Sequence, residues 1–189
     1  MSRDDWQRRL GPLYGGAVAL VHSSSWKWPS DVRDEVRSSA WVVAVGLPIG
    51  LVAYLAAAFV RWLHLPAAIA AIIGLGVLAL ASAAIVEKGL VDRVDREQAR
   101  SPSVPAILVL VFTVLVRAAA IVSIAPAHWL GAFLATALVG RFAAVFLQAI
   151  GDPILDDRAP RSLVATPAPA WLVAAIGLAV ASVSTIALG

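Results

Sequence analysis

The sequence predicts an all-α fold: a polytopic integral membrane helical bundle of about five transmembrane helices preceded by an N-terminal interfacial or half-inserted helix, with the N-terminus in and the C-terminus out. Three observations lead there. Hydrophobic residues make up 60% of the 189 and charged residues 14%, where a soluble domain carries about a quarter charged residues. Mean hydropathy is +0.85, and the apolar residues come in runs of roughly 20, the length that crosses a bilayer core. The charges gather between those runs. No stretch is left for a separate soluble domain, so residues 1–189 read as one membrane domain, an interfacial region at 1–37 and a transmembrane bundle at 38–189.

Residues 1–12 are polar and mixed in charge, and the apolar run at 13–21 is too short and too glycine-rich to span. Asp4 and Asp5 and the lack of an A-x-A site argue against a signal peptide. The run reads as an interfacial or half-inserted helix, with Trp26 and Trp28 at headgroup level and Pro29 ending it. Residues 38–60 carry no formal charge and form the first span, with Trp41 and Trp62 near its two ends. Within it, Gly46, Pro48 and Gly50 predict a kink and a close-packed neighbour. A tight connection from Arg61 to His64 leads to a second span at 65–86. A third runs over 104–125, Pro126 to His128 reverse the chain, a fourth occupies 129–150 and a fifth about 168–188.

Orientation follows from the basic residues. Of the 15 Lys and Arg, twelve fall on the side that holds the N-terminus, only Arg61 falls on the other, and Arg117 and Arg141 lie inside spans. Basic residues stay on the cytoplasmic side, which puts the N-terminus, the 87–103 segment and the 151–161 loop there together. Arg outnumbers Lys and Ala is abundant, a composition that suggests a GC-rich bacterial source and hence the cytoplasmic (inner) membrane.

The two intramembrane arginines each cost ~2.5–3.5 kcal/mol at a helix centre by insertion scales. Neither span contains a carboxylate to pair with. A cavity open to the cytoplasm, holding an anion or water, would account for both; the alternative is that each snorkels or bonds to helix carbonyls.

The charged stretch from Glu87 to Ser103 is where chemistry is expected. On a helix, Lys88, Asp92 and Asp95 are spaced i, i+4, i+7 and share one face. Two carboxylates so placed can hold a hard divalent cation such as Mg2+, which can clamp a pyrophosphate, and Gly89 lets a ligand approach the backbone. The plainer reading is a charged helix end laced by Asp92–Arg96 and Arg93–Glu97 pairs.

The order of an apolar span, then Gly89-Leu90-x-Asp92-x-x-Asp95, then an apolar span with a basic residue resembles the cobalamin synthase family, the adenosylcobinamide-GDP ribazoletransferases. Arg117 falls near a family lysine and Gly140-Arg141 near a family serine-arginine pair. Lys88 stands where the family has the first aspartate of its run, and Arg96 where it has a glycine. The resemblance implies a membrane transferase that joins a ribazole nucleoside to adenosylcobinamide-GDP with release of GMP. Asp92 and Asp95 would hold magnesium, Lys88 and Gly89 would contribute to ligand binding, and Arg117 and Arg141 would neutralise phosphate. The implied partners are membrane lipid and a phosphate-bearing ligand such as a nucleotide-linked corrinoid. An inactive relative of that fold, acting as a membrane subunit beside protein partners or as a binder of a phosphate or lipid ligand, is the alternative.

Other classes are excluded or disfavoured. With no cysteine, disulfides and thiol chemistry are absent. A net charge of +3 is too small to indicate nucleic acid. No span carries an acid that could couple ion transport. His22, His64 and His128 are dispersed and receive no role.

Overall fold

A computed structural model describes residues 3–25, 39–82, 104–150 and 168–188, and all regular structure among them is helical. The helices are α1 (Arg3–Leu10), α2 (Tyr14–Ser23), α3 (Ser39–Ala44), α4 (Gly46–Trp62), α5 (Ala67–Ala81), α6 (Val104–Ser123), α7 (Trp129–Ile150) and α8 (Ala170–Leu188). Among the described residues, two stretches are long and apolar enough to cross a membrane: Ser39–Trp62, 24 residues of mean hydropathy 2.3, and Pro126–Phe146, 21 residues of mean hydropathy 1.7. Three shorter apolar helical stretches accompany them, Ala67–Ala81, Ile107–Ser123 and Ala170–Ile186.

The breaks between helices have local causes. Gly11 takes φ +51° immediately after α1, a conformation glycine adopts without steric cost and one that ends helices. A 3₁₀ turn, Gly11–Leu13, then leads into α2. Val45 interrupts the first apolar run, separating α3 from α4. Pro48 explains the position, because its ring lacks an N–H and crowds the carbonyl four residues back, that of Ala44. Val45 keeps helical dihedrals, φ −61° and ψ −19°, and its N–H donates to the Trp41 carbonyl at 3.0 Å, so Gly46, Pro48 and Gly50 mark a local interruption in one apolar stretch, in keeping with the kink the sequence suggests.

The connection after α4 turns on His64, a non-glycine residue at φ 61°, whose N–H donates to the carbonyl of Arg61 at 2.9 Å. Arg61 in turn donates from Nη1 to the carbonyl of Leu65 at 3.0 Å. Between α6 and α7 a 3₁₀ turn, Pro126–His128, reverses the chain. The buried indole of Trp129 donates from Nε1 to the Ile124 carbonyl at 3.2 Å and pins that turn.

Neighbouring helices form a row in the order α8, α7, α4, α5, α6, with α3 on α7 and α2 on α3. Small residues let these backbones approach. A Cβ on Gly50 would come 3.0 Å from the backbone of Phe133 and of Leu134 on α7, and one on Gly74 would come 2.5 Å from the ring of Phe133 and 2.9 Å from Ala57. Phe133 is fully buried and is the largest such side chain among the described residues, so it fills the middle of the row where α4, α5 and α7 meet. The outward faces are apolar as well: Leu51, Leu55 and Phe59 on α4, Ile69 and Ile72 on α5, and Leu108, Phe112 and Leu115 on α6 are all exposed.

Candidate functional site

Of the residues the sequence singles out, Lys88, Gly89, Asp92 and Asp95 lie outside the described residues. Arg117 and Arg141 lie inside them, and both line one cavity. Its walls come from four helices: Ile49 of α4, Leu78 and the cap residue Ser82 of α5, Arg117 of α6, and Thr136, Ala137, Gly140 and Arg141 of α7. The space exists because α6 rests on α5 rather than on α7, so the two helices joined by the Pro126 turn leave a wedge between them.

About 40 Å³ of that wedge is reachable by water, room for roughly three or four molecules at ~10–15 Å³ each. Thr136 donates its hydroxyl to the Ala132 carbonyl at 2.7 Å and Ser82 donates to Ala79 at 3.0 Å. Each hydroxyl hydrogen is thus directed back into its own helix, which leaves oxygen lone pairs for a partner in the cavity. Among the described residues, positive charge in the cavity comes from the arginines alone.

Arg141 is 7% exposed, and its partners are oxygens of the protein. Nη2 donates to the carbonyl of Ser23 at 2.6 Å, Nη1 to the hydroxyl of Ser23 at 2.7 Å, and Nη1 makes a longer contact of 3.5 Å with the carbonyl of Val42. Ser23 passes the chain on, its hydroxyl donating to Ala19 at 2.6 Å. The last residue of a helix presents a carbonyl with no intrahelical partner, at the negative end of the helix dipole. The C-terminus of α2 therefore stands where a carboxylate is missing. Gly46 makes room for this arrangement, since a Cβ there would lie 3.2 Å from Cδ of Arg141 and 3.1 Å from the Ala137 carbonyl.

One further bond sets the surroundings. The N–H of Ser25 donates to the carbonyl of Ala81 at 3.0 Å, so the chain leaves α2 and α5 at the same corner. The two stretches of sequence that follow, 26–38 and 83–103, are rich in acids: Asp31, Asp34 and Glu35 in the first, and Glu87, Asp92, Asp95 and Glu97 in the second. Among the described residues no group of three or more His, Cys, Asp or Glu is placed to hold a metal.

Sequence reasoning finds the two arginines and misses Ser23, the Val42 carbonyl, Ser82 and Thr136. The one available signal is the run Ser23-Ser24-Ser25 ending an apolar segment, a set of hydroxyls at the point where helix carbonyls become free. Comparison of the chain with protein-family models, with curated proteins and with solved structures returns no match.

Proposed function

We propose that this chain is a multi-pass protein of the bacterial cytoplasmic membrane, with about five spans and an N-in, C-out topology, working as a cobalamin synthase-like transferase on a phosphate-bearing ligand. The observation that carries the reading is the shared cavity of Arg117 and Arg141, two cations from different helices at one water-sized space inside an apolar bundle. Charge held inside an apolar helical bundle is retained for a pathway or a ligand. The apolar outer faces of α4, α5 and α6 suit lipid, and the twelve-to-one distribution of basic residues supports the orientation.

In the reaction, a ribazole hydroxyl oxygen bonds to the cobinamide-side phosphorus of the pyrophosphate, the bridge to GMP breaks, and the hydroxyl proton leaves. Catalysis of this kind is positioning and charge stabilisation. Arg117 supplies cationic charge to the phosphate oxygens, and the hydroxyls of Ser82 and Thr136 hold ordered water. A magnesium ion, held by Asp92 and Asp95 on the sequence pattern, would neutralise the pyrophosphate; on the same pattern the charge of Lys88 would lower the affinity of that pair for a cation. The test is release of GMP from adenosylcobinamide-GDP and ribazole with magnesium. Turnover abolished by Asp92→Ala supports the transferase.

A second reading has its own support. The wedge is sized for water rather than for a nucleotide, and Arg141 is already bonded to Ser23. Both suit a non-catalytic relative that binds a small phosphate-bearing or lipid ligand, alone or beside a protein partner. Folded protein that binds pyrophosphate and releases no GMP selects this reading.

A further inference from the structure

The attachment of α2 poses a physical problem. This ten-residue helix fully buries only Val18, Ala19 and Ser23 of its own length, and its main helix neighbour is α3. Gly15 and Gly16 seat the indole of Trp41, where an added Cβ would come 2.7 and 3.0 Å from the ring. In a bilayer, apolar faces gain close packing from meeting and little else, because lipid is as apolar as the partner helix. Two buried apolar side chains, the half-buried Tyr14 and Leu20 and a glycine seat are a thin basis for a fixed position.

The polar bonds at the end of α2 supply what the apolar face does not. Arg141 grips Ser23 at two oxygens, and the cation sits at the helix end whose dipole favours it. The same corner carries the Ser25–Ala81 bond, so the end of α2 is tied to α5 as well as to α7.

We infer that Arg141 is a positioning residue: it latches the C-terminus of α2 to α7 and thereby fixes the point at which the chain leaves α2. The latch stands on this geometry alone and does not depend on the proposed function.

The chain contains no cysteine, so single thiols report locally. Ser24→Cys places a reporter at a residue 2% exposed beside the latch. Val60→Cys places a control at a 6% exposed position near the far end of α4. The full chain in lipid nanodiscs is treated with a water-soluble maleimide. The thiol of the Ser24→Cys reporter reacts about tenfold faster or more once Arg141→Ala is added, the factor that ~1.4 kcal/mol of lost attachment produces, while the control stays protected. Arg141→Lys keeps charge without the planar fork and gives an intermediate rate, and Ser23→Ala a smaller rise because the carbonyl bond survives. Unchanged protection of the reporter with Arg141→Ala overturns the inference. Should Arg141→Ala expose the control too, the milder Arg141→Lys and Ser23→Ala decide, and no rise in either overturns it. Failure of GMP release leaves these labelling rates untouched, so the latch and the transferase reading fail separately.

Discussion

Arg141 and Ser23 lie 118 positions apart and are joined by two hydrogen bonds of 2.7 and 2.6 Å in the interior of the bundle. The pairing answers how an apolar helix carries a guanidinium with no acid on that helix or on α6 before it. A hydroxyl and a helix-terminal carbonyl, each of partial charge, take the place of one full negative charge.

The hydroxyl half of that pairing can be measured as a coupling energy. In a double-mutant cycle of Ser23→Ala and Arg141→Ala, the interaction term should be ~1 kcal/mol, above the ~0.6 kcal/mol average of interhelical hydrogen bonds in membranes because one partner is charged. Reversible unfolding in mixed micelles measures it. Strict additivity would mean the two side chains do not stabilise one another.

Gly74 and Phe133 form a second contact with a defined outcome. Gly74→Ala puts a methyl 2.5 Å from the Phe133 ring and 2.9 Å from Ala57, and overpacking of this kind costs about 1–3 kcal/mol. Adding Phe133→Leu to Gly74→Ala should recover part of that loss. A neutral Gly74→Ala would show that α5 and α7 are less closely packed than described.

His64 holds a left-handed backbone conformation at φ 61°, which costs a side-chain-bearing residue about 1–2 kcal/mol. His64→Gly should leave stability unchanged or raise it by up to ~1 kcal/mol, and His64→Val should lower it, since a β-branched residue fits that region worst. Thermal unfolding of the two variants, compared with the parent, reads the difference.

Arg117 can be separated from Arg141 by ligand binding. Titration with inorganic pyrophosphate should show about a tenfold or greater loss of affinity for Arg117→Ala and a smaller loss for Arg117→Lys, which keeps the charge. Equal affinity in parent and Arg117→Ala would remove this residue from the site.

Much of the helix layout is legible in the sequence because the punctuation is strong. Pro126 and the clustered charges bound α7 so sharply that the expected and observed limits coincide at residues 129 and 150. The close approach expected at Gly46 and Gly50 is present, against Ala137, Phe133 and Leu134. The expected kink falls at Val45, three residues before Pro48, where the proline lacks an N–H and the neighbouring Gly46 adds little helix propensity. The partner of Arg141 is not legible. Serine is ubiquitous and gives no periodic signal, and a backbone carbonyl gives none at all, so only coordinates bring Ser23 to α7. The expected roles of Lys88, Gly89, Asp92 and Asp95 fall outside the described residues.

The linear arrangement α8, α7, α4, α5, α6 makes the two outermost helices unequal in what they support. Among the described residues the wedge draws on α4 through α7 and takes nothing from α8, whose seat is the flank of α7, where Gly177 receives the Phe142 ring. Removing the terminal helix should therefore strip a buttress without opening the guanidinium chamber, whereas loosening α6 would unroof it directly.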